Sequence, residues 1–156
     1  MALPFAGRLS VRSVPAAALV GAVLALGATL RLYDLGAESY WLDEVIMLRA
    51  AEGDVGSILA GPRPPVYVLL THFWVQTFGA SEASTRLLPA LFGCLSLLLT
   101  YVLGRELFGR QVGLIAALLM SLSAFQVHYS QELRYYSLFV LCASLSYFLM
   151  LRALKT

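Results

Sequence analysis

Two short stretches of the chain gather side chains that could do chemistry. Trp41-Leu42-Asp43-Glu44 sets two carboxylates side by side, and a carboxylate held in place can take a proton as a general base or ligate a metal ion. The same pair also fits a helix start, where Asp43 would accept backbone N–H bonds and both acids would favour the positive end of the dipole. The two readings are compatible, because a capped carboxylate stays ionised and fixed. Further along, Tyr129-Ser130-Gln131-Glu132-Leu133-Arg134-Tyr135-Tyr136 places Glu132 close to Arg134 among aromatic rings. Read locally, Ser130 caps the next helix and Glu132 lies in its first turn. Read chemically, Arg134 could hold a phosphate through paired N–H donors. Arg63, fixed between Pro62 and Pro64, is a cation at a defined place in a loop. His72 and His128 read as satisfied interfacial histidines, and Arg31 and Arg86 as side chains that snorkel to the interface.

The elements that position these residues follow from composition. Of 156 residues, 60% are apolar and only 13% charged, against about 25% charged in an average soluble domain. Mean hydropathy is +0.79. Four apolar stretches, at about 14–32, 87–103, 112–127 and 135–151, come near the roughly 17 to 25 helical residues that cross a bilayer. An ordinary soluble enzyme and a disordered chain are both excluded, and a formal net charge of +2 leaves no basic footprint for nucleic acid. The expectation is an all-α, polytopic transmembrane helix bundle of about four spans, with short interfacial helices in its first outer loop. Arg8 and Arg12 before the first stretch also suit a signal peptide, but its length and the lack of a small-x-small site before Arg31 favour an uncleaved span.

Orientation follows from the basic residues. With residues 1–13 in the cytoplasm, the inner side holds Arg8, Arg12, Arg105, Arg110, Arg152 and Lys155, with Glu106 the lone acid. Asp34, Glu38, Asp43, Glu44, Glu52, Asp54, Glu82 and Glu132 then fall outside, a positive-inside pattern. The loop 33–86 is longer than a connection needs and too apolar for disorder. It reads as a helix over 43–52 with Gly53 just past its end, a rigid turn at Gly61-Pro62-Arg63-Pro64-Pro65, and a second helix over 66–78. The second helix is too short to span. Its apolar positions 66, 69, 70, 73 and 74 lay it on the membrane surface, with Trp41, Tyr67 and Trp74 at the interface. Cys94 and Cys142, each inside an apolar stretch, read as small core residues, not as a disulfide or a metal pair. Gly93, Ser96, Ser121 and Ser123 suit close helix packing. Spans almost without charge argue against a transporter.

Taken in order, the residues resemble the N-terminal part of the GT-C class of membrane glycosyltransferases, in particular bacterial relatives of protein O-mannosyltransferases and of the aminoarabinose transferase that modifies lipid A. The resemblance runs through Leu30-Arg31-Leu32-Tyr33-Asp34-Leu35-Gly36, Trp41-Leu42-Asp43-Glu44, Pro64-Pro65-Val66-Tyr67, Ser81-Glu82 with Arg86-Leu87, Leu91-Phe92-Gly93, Leu103-Gly104-Arg105-Glu106-Leu107-Phe108-Gly109 and Tyr129 to Leu138. It implies transfer of a sugar from a polyprenyl-phosphate donor to a lipid, glycan or protein acceptor at the outer face of a bacterial inner membrane. It implies Asp43 as catalytic base with Glu44 beside it, and Glu132 and Arg134 as metal, donor or phosphate contacts. A divalent metal would fall to Asp43 and Glu132. Many relatives carry His before the double proline. Arg63 stands there in this chain, so a phosphate or a metal contact is left open. Members of the class are usually several times longer, so the resemblance implies a chain with the catalytic loops but only part of the donor groove, and little transfer by 1–156 alone. The alternative is a non-catalytic four-span scaffold or assembly subunit.

Overall fold

The structure is a computed structural model and describes residues 15–155. The expected cytoplasmic segment 1–13, with Arg8 and Arg12, lies outside the described residues. Eight helices make up the described part: α1 (Ala16–Leu32), α2 (Leu42–Ala51), α3 (Val55–Ala60), α4 (Pro65–Phe78), α5 (Glu82–Phe108), α6 (Arg110–Leu122), α7 (Ala124–Ser130) and α8 (Tyr136–Leu154). The starts carry recognisable signals. Asp54 accepts the N–H groups of Gly56 and Ser57 at the head of α3, Pro65 occupies the first position of α4, and Ser81 accepts the Ser84 N–H at the head of α5. Gly109 separates α5 from α6 with φ +91°, a left-handed geometry that L side chains resist.

α5 is the central strut and packs against α1, α4, α6, α7 and α8. Two of the helices, α5 and α8, are long and apolar enough to cross a membrane, α6 and α7 together pass as one broken span, and α1 is a shorter apolar helix. The chain therefore forms an all-α membrane bundle. Its packing inverts that of a soluble protein. Leu95, Ile115, Leu119, Leu122, Phe139 and Leu149 are exposed, whereas Ser96, Ser121, Ser130, Thr71 and Thr85 are buried. Small polar residues let helices approach closely where hydrocarbon solvates the outside. A first core joins Leu97, Tyr101 and Ala117. A second joins α2, α3 and α4 through Met47, Ala51, Ile58, Tyr67 and Val68, and it takes in Leu133 from the connection before α8. The two ends of the bundle differ in charge. Lys155 Nζ meets Glu106 at 2.7 Å, at the end that also carries Arg105, Arg110 and Arg152; α2 to α4 cover the other end.

Several local expectations are corrected. The third apolar stretch is not one helix: it bends by 64° after Leu122. Ser123, expected in helix packing, instead accepts the Gln126 N–H and caps α7. A continuous helix would have satisfied the Met120 carbonyl with the Ala124 N–H; here Arg31 Nη2 donates to it at 3.1 Å. Arg31 therefore does not snorkel. It is fully buried, and its Nη1 donates to the Gly27 carbonyl at 3.0 Å. Ser130 does not cap α8, because its hydroxyl donates back to the Gln126 carbonyl at 2.6 Å. Cys142 is exposed rather than core, and Cys94 is half-buried. On α4 the apolar stripe faces outward, with Val66, Leu70 and Phe73 exposed, while Tyr67, Val68 and Thr71 pack inward. Tyr67 is thus a core residue and not an interfacial one.

The α5–α6 crossing depends on Gly113. A Cβ there would lie 2.7 Å from both the Tyr101 carbonyl oxygen and the Arg105 backbone nitrogen, neither of which can rotate away. Gly113→Val is expected to lower stability in micelles by about 1–3 kcal/mol, read by thermal unfolding. Gly21→Val, whose Cβ would meet nothing within 4 Å, is expected to change it little. Equal effects would contradict this packing.

Candidate functional site

The first turn of α2 divides its two acids between different tasks. Glu44 sits at the third helical position and its Oε2 accepts the Trp41 N–H at 3.4 Å. The carboxylate is fully buried and is gripped by Arg86 from α5, whose Nε and Nη2 donate at 2.9 and 2.6 Å. Such a fork is the strong geometry for a guanidinium and a carboxylate. The Leu133 N–H also donates to Glu44 Oε1 at 2.9 Å. Burial would push this carboxyl up, but the Arg86 and Leu133 hydrogen bonds outweigh it and hold the group below its ordinary value. Arg86 spends its other donors on the carbonyls of Leu35, Glu38 and Ser39, and its guanidinium lies 5.6 Å from the Tyr40 ring. Arg86 was expected to snorkel. It is instead the inner half of a buried ion pair.

Asp43 points the other way. Its carboxylate is not a cap: Oδ2 lies 2.9 Å from Arg134 Nη1, and the side chain is 40% exposed. Arg134 lies near the rings of Tyr135 and Tyr136, its guanidinium 5.6 and 5.5 Å from their centroids, a favourable cation–ring distance. Its Nη2 makes one long bond to the Tyr136 hydroxyl at 3.4 Å, and its Nε is buried without a partner. Glu132 pairs through Oε1 with His128 Nε2 at 3.0 Å, while its Oε2 is buried and unpartnered. Burial pushes the Glu132 carboxyl up, helped by Glu44 and Asp43 and opposed by His128 and Arg134. Behind the cluster, Tyr67 is buried against Tyr135 with ring centroids 6.4 Å apart, and its hydroxyl has no partner.

A cleft of about 710 Å³ is lined among others by Tyr33, Asp34, Glu44, Arg86, His128 and Glu132, whereas Asp43 and Arg134 lie outside its lining. Gln131 ties its wall together by donating to the Leu30 and Tyr33 carbonyls at 3.2 and 2.9 Å. Of the five residues singled out in the sequence, Asp43, Glu44, Glu132 and Arg134 are brought together. Arg63 is not. It is exposed and lines a separate hollow of about 250 Å³ with Arg49, Ser57 and Ile58. Among the described residues no group of three or more His, Cys, Asp and Glu side chains is set to hold a metal ion. Asp43 and Glu132 engage Arg134 and His128 instead, so this donor set does not converge on a metal. Arg86, Tyr67 and Gln131 were missed as members of the site. Arg86 and Tyr67 stand inside the quoted motifs, but nothing in their local spacing names their partners.

The protein family described as dolichyl-phosphate-mannose-protein mannosyltransferase matches residues 62–156. The matched stretch contains Arg63, Arg86, Glu132 and Arg134 and begins after Asp43 and Glu44. No curated protein and no solved structure matches the chain.

Removing one half of the Glu44–Arg86 pair leaves a buried charge without a partner, so Arg86→Met is expected to destabilise the protein by about 3–5 kcal/mol. Glu44→Gln with Arg86→Met together should recover much of that loss. Because the folded Glu44 carboxyl ionises at lower pH than the unfolded one, its stabilisation is complete above about pH 4.5, the ordinary value. It is lost as pH falls below that value, through the folded one. Denaturation midpoints followed from neutral to acid pH should therefore fall less steeply in Glu44→Gln than in the wild type. Parallel curves would contradict the assignment.

Proposed function

The chain belongs to the dolichyl-phosphate-mannose-protein mannosyltransferase family, a family of membrane glycosyltransferases, and from that premise we propose that it transfers a sugar from a polyprenyl-phosphate donor to a hydroxyl acceptor at the outer face of the membrane. The observation that carries this reading is the 2.9 Å meeting of Asp43 with Arg134, a half-exposed carboxylate and a cation from two separate parts of the chain, each next in sequence to a residue held in the Glu44 junction. Arg134 receives the donor phosphate, its guanidinium resting near two tyrosine rings. The acceptor hydroxyl attacks the anomeric carbon on the face opposite the phosphate. As the new carbon–oxygen bond forms, Asp43 takes the hydroxyl proton, since an alcohol is a poor nucleophile until a base removes it. The bond from the anomeric carbon to the phosphate oxygen breaks, and its electron pair leaves with the polyprenyl phosphate. The charge growing on that oxygen is stabilised by Arg134. The anomeric centre inverts.

Glu44 has no direct part in this chemistry. Its lone pairs are taken by Arg86, Leu133 and Trp41, which makes it the positioning group for the turn that carries Asp43. Glu132, with one buried oxygen unpartnered, is the group suited to accept a sugar hydroxyl. The acids gathered at the outer end of the bundle thus acquire a use that charge sorting alone does not give them.

The test is transfer of radiolabelled sugar from a polyprenyl-phosphate donor in native membranes. Asp43→Asn is expected to cut transfer by about a hundredfold or more while membrane insertion is unchanged and stability falls by only about 1 kcal/mol, the worth of a partly exposed ion pair. Retained transfer would reassign Asp43 to pairing with Arg134 alone. If amide variants of both Asp43 and Glu132 changed stability and nothing else, the chain would be a non-catalytic membrane subunit.

A further inference from the structure

Asp43 and Arg134 have opposite tasks in the proposed transfer, yet they hold each other. Arg134 Nη1 lies 2.9 Å from Asp43 Oδ2, and among the described residues this guanidinium makes no other ion pair. Its remaining polar contact is the 3.4 Å bond to the Tyr136 hydroxyl, and its Nε is unpartnered. The cation is the more enclosed partner, its side chain 17% exposed and its guanidinium near the rings of Tyr135 and Tyr136. The anion is freer. Asp43 is 40% exposed, and its neighbour Glu44 cannot replace it, being locked on Arg86. Arg63, the other cation considered for a phosphate, faces a different hollow.

Resting on the transferase reading, we infer that Asp43 and the phosphate of the polyprenyl donor compete for Arg134, so that donor binding is what releases the Asp43 carboxylate toward the acceptor. A phosphate offers oxygens that match the guanidinium fork as well as a carboxylate does. Once it is seated, Asp43 loses its counter-ion and turns to the hydroxyl that needs it. The consequence is an order of events: donor first, acceptor second. Without a donor the carboxylate stays tethered to Arg134.

The experiment measures binding of a polyprenyl phosphate carrying no sugar to the full chain in phosphatidylcholine nanodiscs, across a double-mutant cycle of Asp43→Asn and Arg134→Gln. Asp43→Asn removes the competitor and is expected to bind the lipid phosphate about two- to fivefold more tightly than wild type, the worth of a partly exposed ion pair expressed as affinity. The gain should vanish in the Arg134→Gln background and be absent for polyprenol lacking the phosphate. A gain that persists without Arg134 would mean plain repulsion between carboxylate and phosphate, and would overturn the competition. Unchanged affinity in Asp43→Asn would overturn it too, and both results leave the transferase reading standing. An equal gain for phosphatidylglycerol would overturn the assignment to the donor. No saturable binding by the wild type would overturn the competition and the transferase reading together.

Discussion

The carboxylate of Glu44 is the constraint on which the arrangement of α2 to α4 against the bundle depends. It is buried completely, and it joins three parts of the chain that are far apart in sequence: the first turn of α2, Arg86 on α5 and the Leu133 N–H before α8. Burying a carboxylate beside a guanidinium is costly unless the remaining lone pairs and protons are satisfied. Here they are, with Arg86 closing on the carbonyls of Leu35, Glu38 and Ser39 as well. This single junction ties the first turn of α2 to α5 and to the connection before α8. Asp43 and Arg134, one residue away on either side of it, meet as a result.

A second constraint comes from the solvent. With apolar side chains turned outward and Ser, Thr, Arg and Glu turned inward, the bundle is organised by polar satisfaction and close packing. The bend between α6 and α7 shows the principle at work, since the carbonyl freed by the break is met by a buried arginine from α1. Irregular backbone at that depth persists only when its hydrogen bonds go to protein partners. The bend carries α7 sideways and brings His128 and Glu132 to the mouth of the cleft. The hydrogen bonds of Gln131 to the end of α1 hold that placement from the other side. Site and scaffold are therefore one network.

Much of this architecture is legible in the amino-acid order. The apolar stretches, α2, α4 and the turn at Gly61-Pro62-Arg63-Pro64-Pro65 follow from length, caps and prolines, whereas α3 between them is not expected. The separation of acidic from basic ends is legible too. What is not legible is who pairs with whom. Placing the second span at 87–103 leaves Arg86 at a membrane boundary, where snorkelling is the natural reading. The helix begins at Glu82 instead, which puts Arg86 within it and facing Glu44. The run 112–127 contains no proline, and its glycine is not at the break, so nothing announces that Ser123 will start a new helix. On α4 the apolar stripe was read as a surface contact, and the inward face, with Tyr67 and Thr71, could not be seen without knowing which side meets other helices. Arg63 shows the limit most clearly. Its place in a motif suggests a role at the reacting centre, while the turn that holds it rigid also directs it to another hollow.

Glu44 is what joins the connection before α8 to the first turn of α2. Amide hydrogen exchange at Leu133, compared between wild type and Glu44→Gln under conditions where both remain folded, tests this directly. A strongly protected Leu133 amide is expected in the wild type, with protection lost in the variant while amides of the α5–α6 contact keep theirs. Equal protection of Leu133 in both proteins would contradict it, and the two loops would then owe their meeting to something other than this carboxylate.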